Sequence, residues 1–133
     1  MDGMSRRDLA PCPCGLPASY AECCRGLHRD ERAAATAELL MRSRFSAFSV
    51  GDEAYLLRTW LPADRPSRVD LGKGLRWERL EILGGTGGSA FHTEGTVHFR
   101  AHYVERGRPG RLEENSRFVR LDGRWVYAGR ISE

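Results

Sequence analysis

Lysine is almost absent from this 133-residue chain: twenty of its 21 basic residues are arginine, and Lys73 stands alone. Arginine forks suit phosphate and carboxylate. Here they are spread along the chain rather than blocked, so the codon preference of a GC-rich genome accounts for them. Long apolar runs are also missing, so no segment reads as a bilayer span. The first residues, MDGMSRRDLAPCPCG, lack the apolar core of a signal peptide. These absences point to an intracellular, cytoplasmic protein with no membrane role. Net charge is only +3, too mild to imply nucleic acid. Neither a Ser-His-Asp signature nor a nucleotide-binding motif is present. What is there is ordinary for a globular domain: 41% hydrophobic and 29% charged residues.

Cysteine is the exception to this even texture. Cys12, Cys14, Cys23 and Cys24 fall within thirteen positions, and no cysteine follows them. A disulfide framework would need an oxidising compartment, and adjacent cysteines bridge each other only with strain. Unconnected buried thiols would not explain the clustering. One tetrahedral site of four thiolates explains it, with zinc the expected occupant and iron the alternative. Pro11, Pro13, Gly15 and Pro17 hold the first pair in a turn. Ser19-Tyr20-Ala21-Glu22 has the capping-box pattern, so a short helix is expected after Ser19 with Cys23 and Cys24 on its first turns. Helix N-terminal charge and Arg25 would both favour thiolates. About thirty residues bury little core, so a metal would supply the folding energy. The fourth ligand is open between Cys24 and His28, which lies four residues further on.

The C-x-C, eight residues, C-C/H spacing resembles the SEC-C motif, a zinc-binding tail named for the preprotein translocase motor. Cys12, Cys14, Cys23 and Cys24 match its ligand positions, while Gly15-Leu16-Pro17 replaces its usual Gly-Ser-Gly. Residues 36–48, TAELLMRSRFSAF, resemble the hallmark stretch of the YchJ-type bacterial family. Tyr55-Leu56, Thr59-Trp60, Gly95, Phe99, Ala101, Glu114-x-Ser116-x-Phe118, Trp125 and Tyr127 continue the likeness along nearly the whole chain. It implies a zinc-binding segment over residues 1–30. It also implies a nuclear transport factor 2-like α+β domain over 31–133, a cone of helices on a curved sheet. No biochemical activity comes with it.

Read residue by residue, Thr36 caps a helix over residues 37–49 with an apolar stripe of Ala37, Leu40, Met41, Phe45 and Phe48. Gly51 ends it, Asp52 caps a second helix carrying Tyr55, Leu56 and Trp60, and Pro62 stops that one. Residues 62–74 read as a loop. The period then changes to two, with strands expected over 75–83, 91–103, 112–121 and 124–131. Gly84-Gly85-Thr86-Gly87-Gly88 reads as a flexible turn; it lacks the residues of a phosphate loop. Asp122-Gly123 marks a tight hairpin. Short connections make the sheet mostly antiparallel, and helices before strands give an α+β fold.

On the second strand Phe91, Val97, Phe99, Ala101 and Tyr103 are expected on the inner face. His92, His98 and His102 share the outer one. His98 and His102 sit about 13 Å apart along the backbone, so they read as a solvated face rather than a metal site. On the third strand Leu112, Glu114, Ser116 and Phe118 share a face. An inward Glu114 needs a partner or a proton, and Arg42 or Arg44 is the expected one. Otherwise it is a candidate pocket acid or base. Two functions stand. One is a binding protein, with the zinc knuckle as a surface for a protein partner and the cone as platform for a small-molecule ligand. The other is a small-molecule enzyme of isomerase or dehydratase type, with Glu114, Ser116, Tyr103, Trp125 and Tyr127 as its wall.

Overall fold

The computed structural model describes residues 4–72 and 74–131; Lys73 lies outside the described residues. Among the described residues four α-helices and two 3-10 turns precede four strands. The N-terminal segment is short and irregular. Ser5 and Asp8 form a capping box that starts α1 (Arg6–Leu9), a helix the sequence reading passed over. A bridge between Pro11 and Ser19 closes the loop holding the first cysteine pair. Ser19 accepts from the Glu22 amide as expected, yet the helix it starts is a single 3-10 turn, Tyr20–Glu22. The chain breaks at Cys23, with φ −126° and ψ −109°, and restarts as α2 (Cys24–His28). Successive residues of an unbroken helix point about 100° apart. The break lets both thiols turn to one place.

Helix α3 (Ala37–Val50) is capped by Thr36, whose hydroxyl accepts from the Leu39 amide, and it ends at Gly51 in the left-handed region. Asp52 likewise caps α4 (Glu53–Arg58). Beyond it the chain pairs with the sheet: Tyr127 donates its amide to the Thr59 carbonyl, and Leu61 donates to that of Tyr127. The sheet itself runs in sequence order, β1 (Leu75–Gly87), β2 (Glu94–Glu105), β3 (Arg108–Leu121) and β4 (Arg124–Arg130), antiparallel throughout. This mixed helix and antiparallel-sheet fold is the α+β class expected.

The glycine run is not a turn. It extends β1 by four residues, and the connection lies beyond it at 88–93. A Cβ on Gly85 would stand 2.5 Å from the Thr96 carbonyl oxygen, so close approach of strands, not turn geometry, requires glycine there. Phe91 consequently sits in the connection, 96% exposed, instead of on the inner face. Val97, Phe99 and Ala101 do point inward, and with Leu40, Met41, Phe45, Leu56 and Phe118 they build the main core. A second, smaller core gathers Tyr20 and the four cysteines, with Leu16 and Val50 against it.

Helix α3 separates these two cores and is buried on both sides. Its apolar stripe faces the sheet. Ser43 and Ser46, both fully buried, face the N-terminal segment. Arg42 reaches out to the same segment, donating to the Cys14 carbonyl at 2.7 Å and pairing with Glu38.

Candidate functional site

The four sulfurs of Cys12, Cys14, Cys23 and Cys24 all lie within 4.8 Å of one another, and all four residues are buried. The Sγ atoms of Cys14 and Cys23 are 3.6 Å apart and those of Cys23 and Cys24 are 4.0 Å apart. Disulfide sulfurs would be about 2.05 Å apart. A tetrahedron of thiolates at about 2.3 Å from a metal has edges of about 3.8 Å, so the residues present fit such an ion. The proton chemistry agrees. Thiols of Cys14 and Cys24 donate to Cys12 and lower its pKa. The same contacts with Cys12 raise those of Cys14 and Cys24, and burial raises that of Cys23. Four buried thiols can all ionise together only around a cation.

His28 is not part of this cluster. Its Nε2–H donates to the Ser43 carbonyl at 2.9 Å, and its Nδ1 accepts from the Tyr20 hydroxyl at 2.7 Å. Both ring nitrogens are therefore committed. Burial lowers its pKa below the usual histidine value. The network continues through Ser43, which accepts from the Tyr55 hydroxyl at 2.7 Å while donating to Leu40. Arg25 serves Asp8, at 3.5 Å.

Between α3 and the sheet lies a cavity of about 440 Å³. Its apolar wall comes from Phe45 and Phe48 on α3 and Trp77, Phe99 and Leu112 on the strands. Its polar groups include Arg44, Glu114, Ser116 and Tyr127, with Arg68 and Asp70 of the loop before β1. Glu114 Oε2 accepts from the Tyr127 hydroxyl at 3.0 Å and from the Ser116 hydroxyl. Burial, then the charge of Glu114, pushes the Tyr127 hydroxyl up to about 12. Arg44 is only 4% exposed. Its Nη1 donates to the Leu56 carbonyl at 2.9 Å and to Thr59 Oγ1 at 2.7 Å. Its Cζ stands 4.6 Å from the Tyr127 ring centre and 5.2 Å from that of Trp60. Burial pushes its pKa down to about 10, which leaves it charged at neutral pH.

Comparison with known proteins decides the family. The model of the middle NTF2-like domain of YchJ matches residues 36–129. This chain belongs to the YchJ family. Among its relatives, a UPF0225 protein of Streptomyces coelicolor is 59% identical over 118 residues, covering 89% of this chain and 92% of the relative. A UPF0225 protein of Deinococcus radiodurans is 44% identical, with coverages of 88% and 85%. The solution structure of a SEC-C motif containing protein from Rhodopseudomonas palustris superposes with a TM-score of 0.80 at 29% identity, covering 92% of this chain and 98% of that one. The crystal structure of a SEC-C motif containing protein from Psychrobacter arcticus gives 0.78 at 26% identity, with coverages of 92% and 82%. This YchJ-family chain thus carries a SEC-C-type cysteine cluster suited to a metal, beside an NTF2-like domain.

Of the residues singled out for a pocket, the fold brings Arg44, Glu114, Ser116 and Tyr127 together. It places three elsewhere. Arg42 turns to Cys14, Tyr103 packs edge-on against Trp77 at 5.5 Å, and Trp125 donates its indole N–H to the Ala35 carbonyl. Neither arginine forms the expected ion pair with Glu114, whose partners are hydroxyls. His98 and His102 stay on the outer face, bound to different carboxylates, Glu113 and Glu81. Sequence reasoning missed Trp60 in the cavity wall and the Ser43–Ser46 side of α3. The spacing of two serines one turn apart, on the face away from the apolar stripe, was the available signal for the latter.

Proposed function

We propose that this protein is a zinc-stabilised binding module whose NTF2-like domain takes a small molecule. The observation that carries the reading is the aromatic-walled cavity between α3 and the sheet, with a buried cation and a hydroxyl-held carboxylate in its wall. Its volume falls within the ordinary range for ligand pockets. Zinc is the metal that four buried thiolates with no open position suit best, and keeping those thiols reduced requires an intracellular compartment. The zinc role is structural, since every ligand is shielded from solvent. Met4 and Leu9, apolar and exposed on the N-terminal segment, are where a protein partner would dock. Equal capture of proteins by wild type and a Cys14→Ser variant in crosslinking would overturn that part.

The deciding experiment combines metal analysis of untagged protein with a fragment screen by NMR. About one zinc per chain and fragments shifting the amides of Phe99 and Ala101 are expected. A screen that leaves those amides still would overturn the ligand-binding reading.

One observation favours a second reading, general acid–base catalysis. Tyr127 and Ser116 both direct hydroxyls at Glu114, fixing a carboxylate beside the aromatic side chains of the wall. Chemistry of isomerase or dehydratase type would then disappear in Glu114→Gln while ligand binding persisted.

A further inference from the structure

The polar end of the cavity contains more hydrogen-bonding capacity than the protein uses. Arg44 commits only Nη1, to Leu56 and Thr59. Among the described residues no acceptor meets its Nε–H or Nη2–H, and no carboxylate pairs with it. Those two groups form one edge of the guanidinium, parallel N–H bonds spaced to meet the two oxygens of a carboxylate. A buried cation that no carboxylate contacts is costly, and here only the more distant charge of Glu114 offsets that cost. Trp60 and Tyr127 approach this cation from the same side, their ring centres 5.2 and 4.6 Å from Cζ and 5.0 Å from each other, and the edge that meets no acceptor is the place where an anion would arrive. A further unused donor lies in the same wall: the buried indole Nε1–H of Trp77 has no acceptor.

We propose that the cavity binds a small monocarboxylate with an apolar, aromatic-compatible body, its carboxylate held side-on by Nε and Nη2 of Arg44. This rests on the reading of the domain as a ligand-binding module and names the class of ligand. Phe45, Phe48, Trp77 and Phe99 supply the surface that buries the body. Glu114 lies in the same wall but its Oε2 is already satisfied by two hydroxyls. A carboxylate therefore belongs at the arginine end, with the apolar body turned toward the aromatic side chains.

Three compounds sharing one apolar body separate the alternatives: 4-phenylbutanoate, 4-phenylbutanamide and 4-phenylbutylamine. Each is titrated into metal-loaded, isotopically labelled full-length chain at neutral pH. The readouts are the Arg44 Nε–H signal and the amides of Phe99, Ala101 and Leu112. The acid is expected to shift all of them and to bind roughly tenfold tighter than the amide, the order of one charge-assisted bidentate contact. An amide that matches the acid, or an amine that binds tightest through Glu114, would overturn the proposal while leaving a ligand-binding cavity in place. If none of the three moves the wall amides, the ligand-binding reading falls and takes this inference with it.

Arg44 also ties α3 to α4, so its replacement risks unfolding; the three head groups test its role in the wild-type chain. The location is tested by Leu112→Trp, because Leu112 is 41% exposed at the rim and can carry a larger side chain without disturbing the core. This variant should melt like wild type and lose acid binding. Undiminished binding of the acid would overturn the assignment to this cavity.

Discussion

His28 and Ser43 join the cysteine-bearing segment to the rest of the molecule: the imidazole Nε2–H donates to the Ser43 main-chain oxygen at 2.9 Å. On its other side Nδ1 accepts from the Tyr20 hydroxyl at 2.7 Å, and that bond needs the neutral ring. Burial lowers the pKa of His28, so the unfolded chain takes up this proton at a higher pH than the folded one. Its contribution is complete above the usual histidine value of about 6.5 and is lost as pH falls from there through the folded value. His28→Gln should cost about 1–3 kcal/mol at pH 7.5. The stability gap between wild type and variant should then narrow on acidification below about pH 6.5. Denaturant melts of both metal-loaded proteins across that range check this; a constant gap would exclude the titration of His28 as its cause.

Removing the metal should unfold one part of the molecule and spare another. Structural zinc in small modules contributes about 10–16 kcal/mol of apparent binding energy, far more than the small thiol-lined core can replace. The main core is made by other residues. Chelation, or Cys24→Ser, should abolish amide protection over residues 10–28 while β2 and β3 remain protected. Hydrogen exchange followed by mass spectrometry reads both regions at once.

Glu114→Gln should leave the fold intact. The glutamine side-chain oxygen can accept from the Tyr127 and Ser116 hydroxyls as the carboxylate does, so a change within about 1 kcal/mol is expected in thermal melts. Tyr127 should respond more. Losing the neighbouring charge lowers its pKa from about 12, while burial, the larger cause, keeps it above the ordinary value of about 10. Ultraviolet titration of the phenolate follows this directly.

Two substitutions in and beside the long hairpin should differ sharply. Phe91→Ser removes a large apolar group that touches little, and its effect should stay within about 0.5 kcal/mol. Gly85→Ala places a methyl 2.5 Å from the Thr96 carbonyl oxygen, and should cost about 1–3 kcal/mol. Equilibrium unfolding of both variants measures the contrast.

The helices α3 and α4 were legible in the sequence because Thr36, Gly51 and Asp52 each act within a few residues of themselves, although α4 ends at Arg58 and leaves Trp60, expected on it, to pair with Tyr127. The metal ligands were legible because clustering of thiols has few causes. The break at Cys23 was not, since local pattern favours a continuous helix and only the convergence of four sulfurs demands otherwise. The length of β1 was hidden by its glycines, which read as a turn until the close partner strand is known. The cavity wall depended on register. The ladder of β1 with β2 shifts at Trp77/Arg79 and again at Ile82/Gly84, and alternation alone cannot locate such shifts. Arg44 was expected in the pocket as a partner of Glu114. Its actual surroundings, Trp60 and Tyr127, come from elements that meet through main-chain pairing of residues 59–61 with β4.

The burial of α3 on two sides also orders events during synthesis. The chain emerges with its thiols and α3 first, and the strands follow one hairpin at a time. Until β2 and β3 exist, the apolar stripe of α3 has no sheet to lie on. The cysteine-bearing segment, already complete, needs only metal and the serine side of that helix. Each later strand then pairs with the one made just before it, which keeps the strand ladders local, and only the closure of Tyr127 on residues 59–61 waits for the end of the chain. A nascent chain paused after residue 60 should therefore already be able to hold its metal ion while its cavity has yet to come into being.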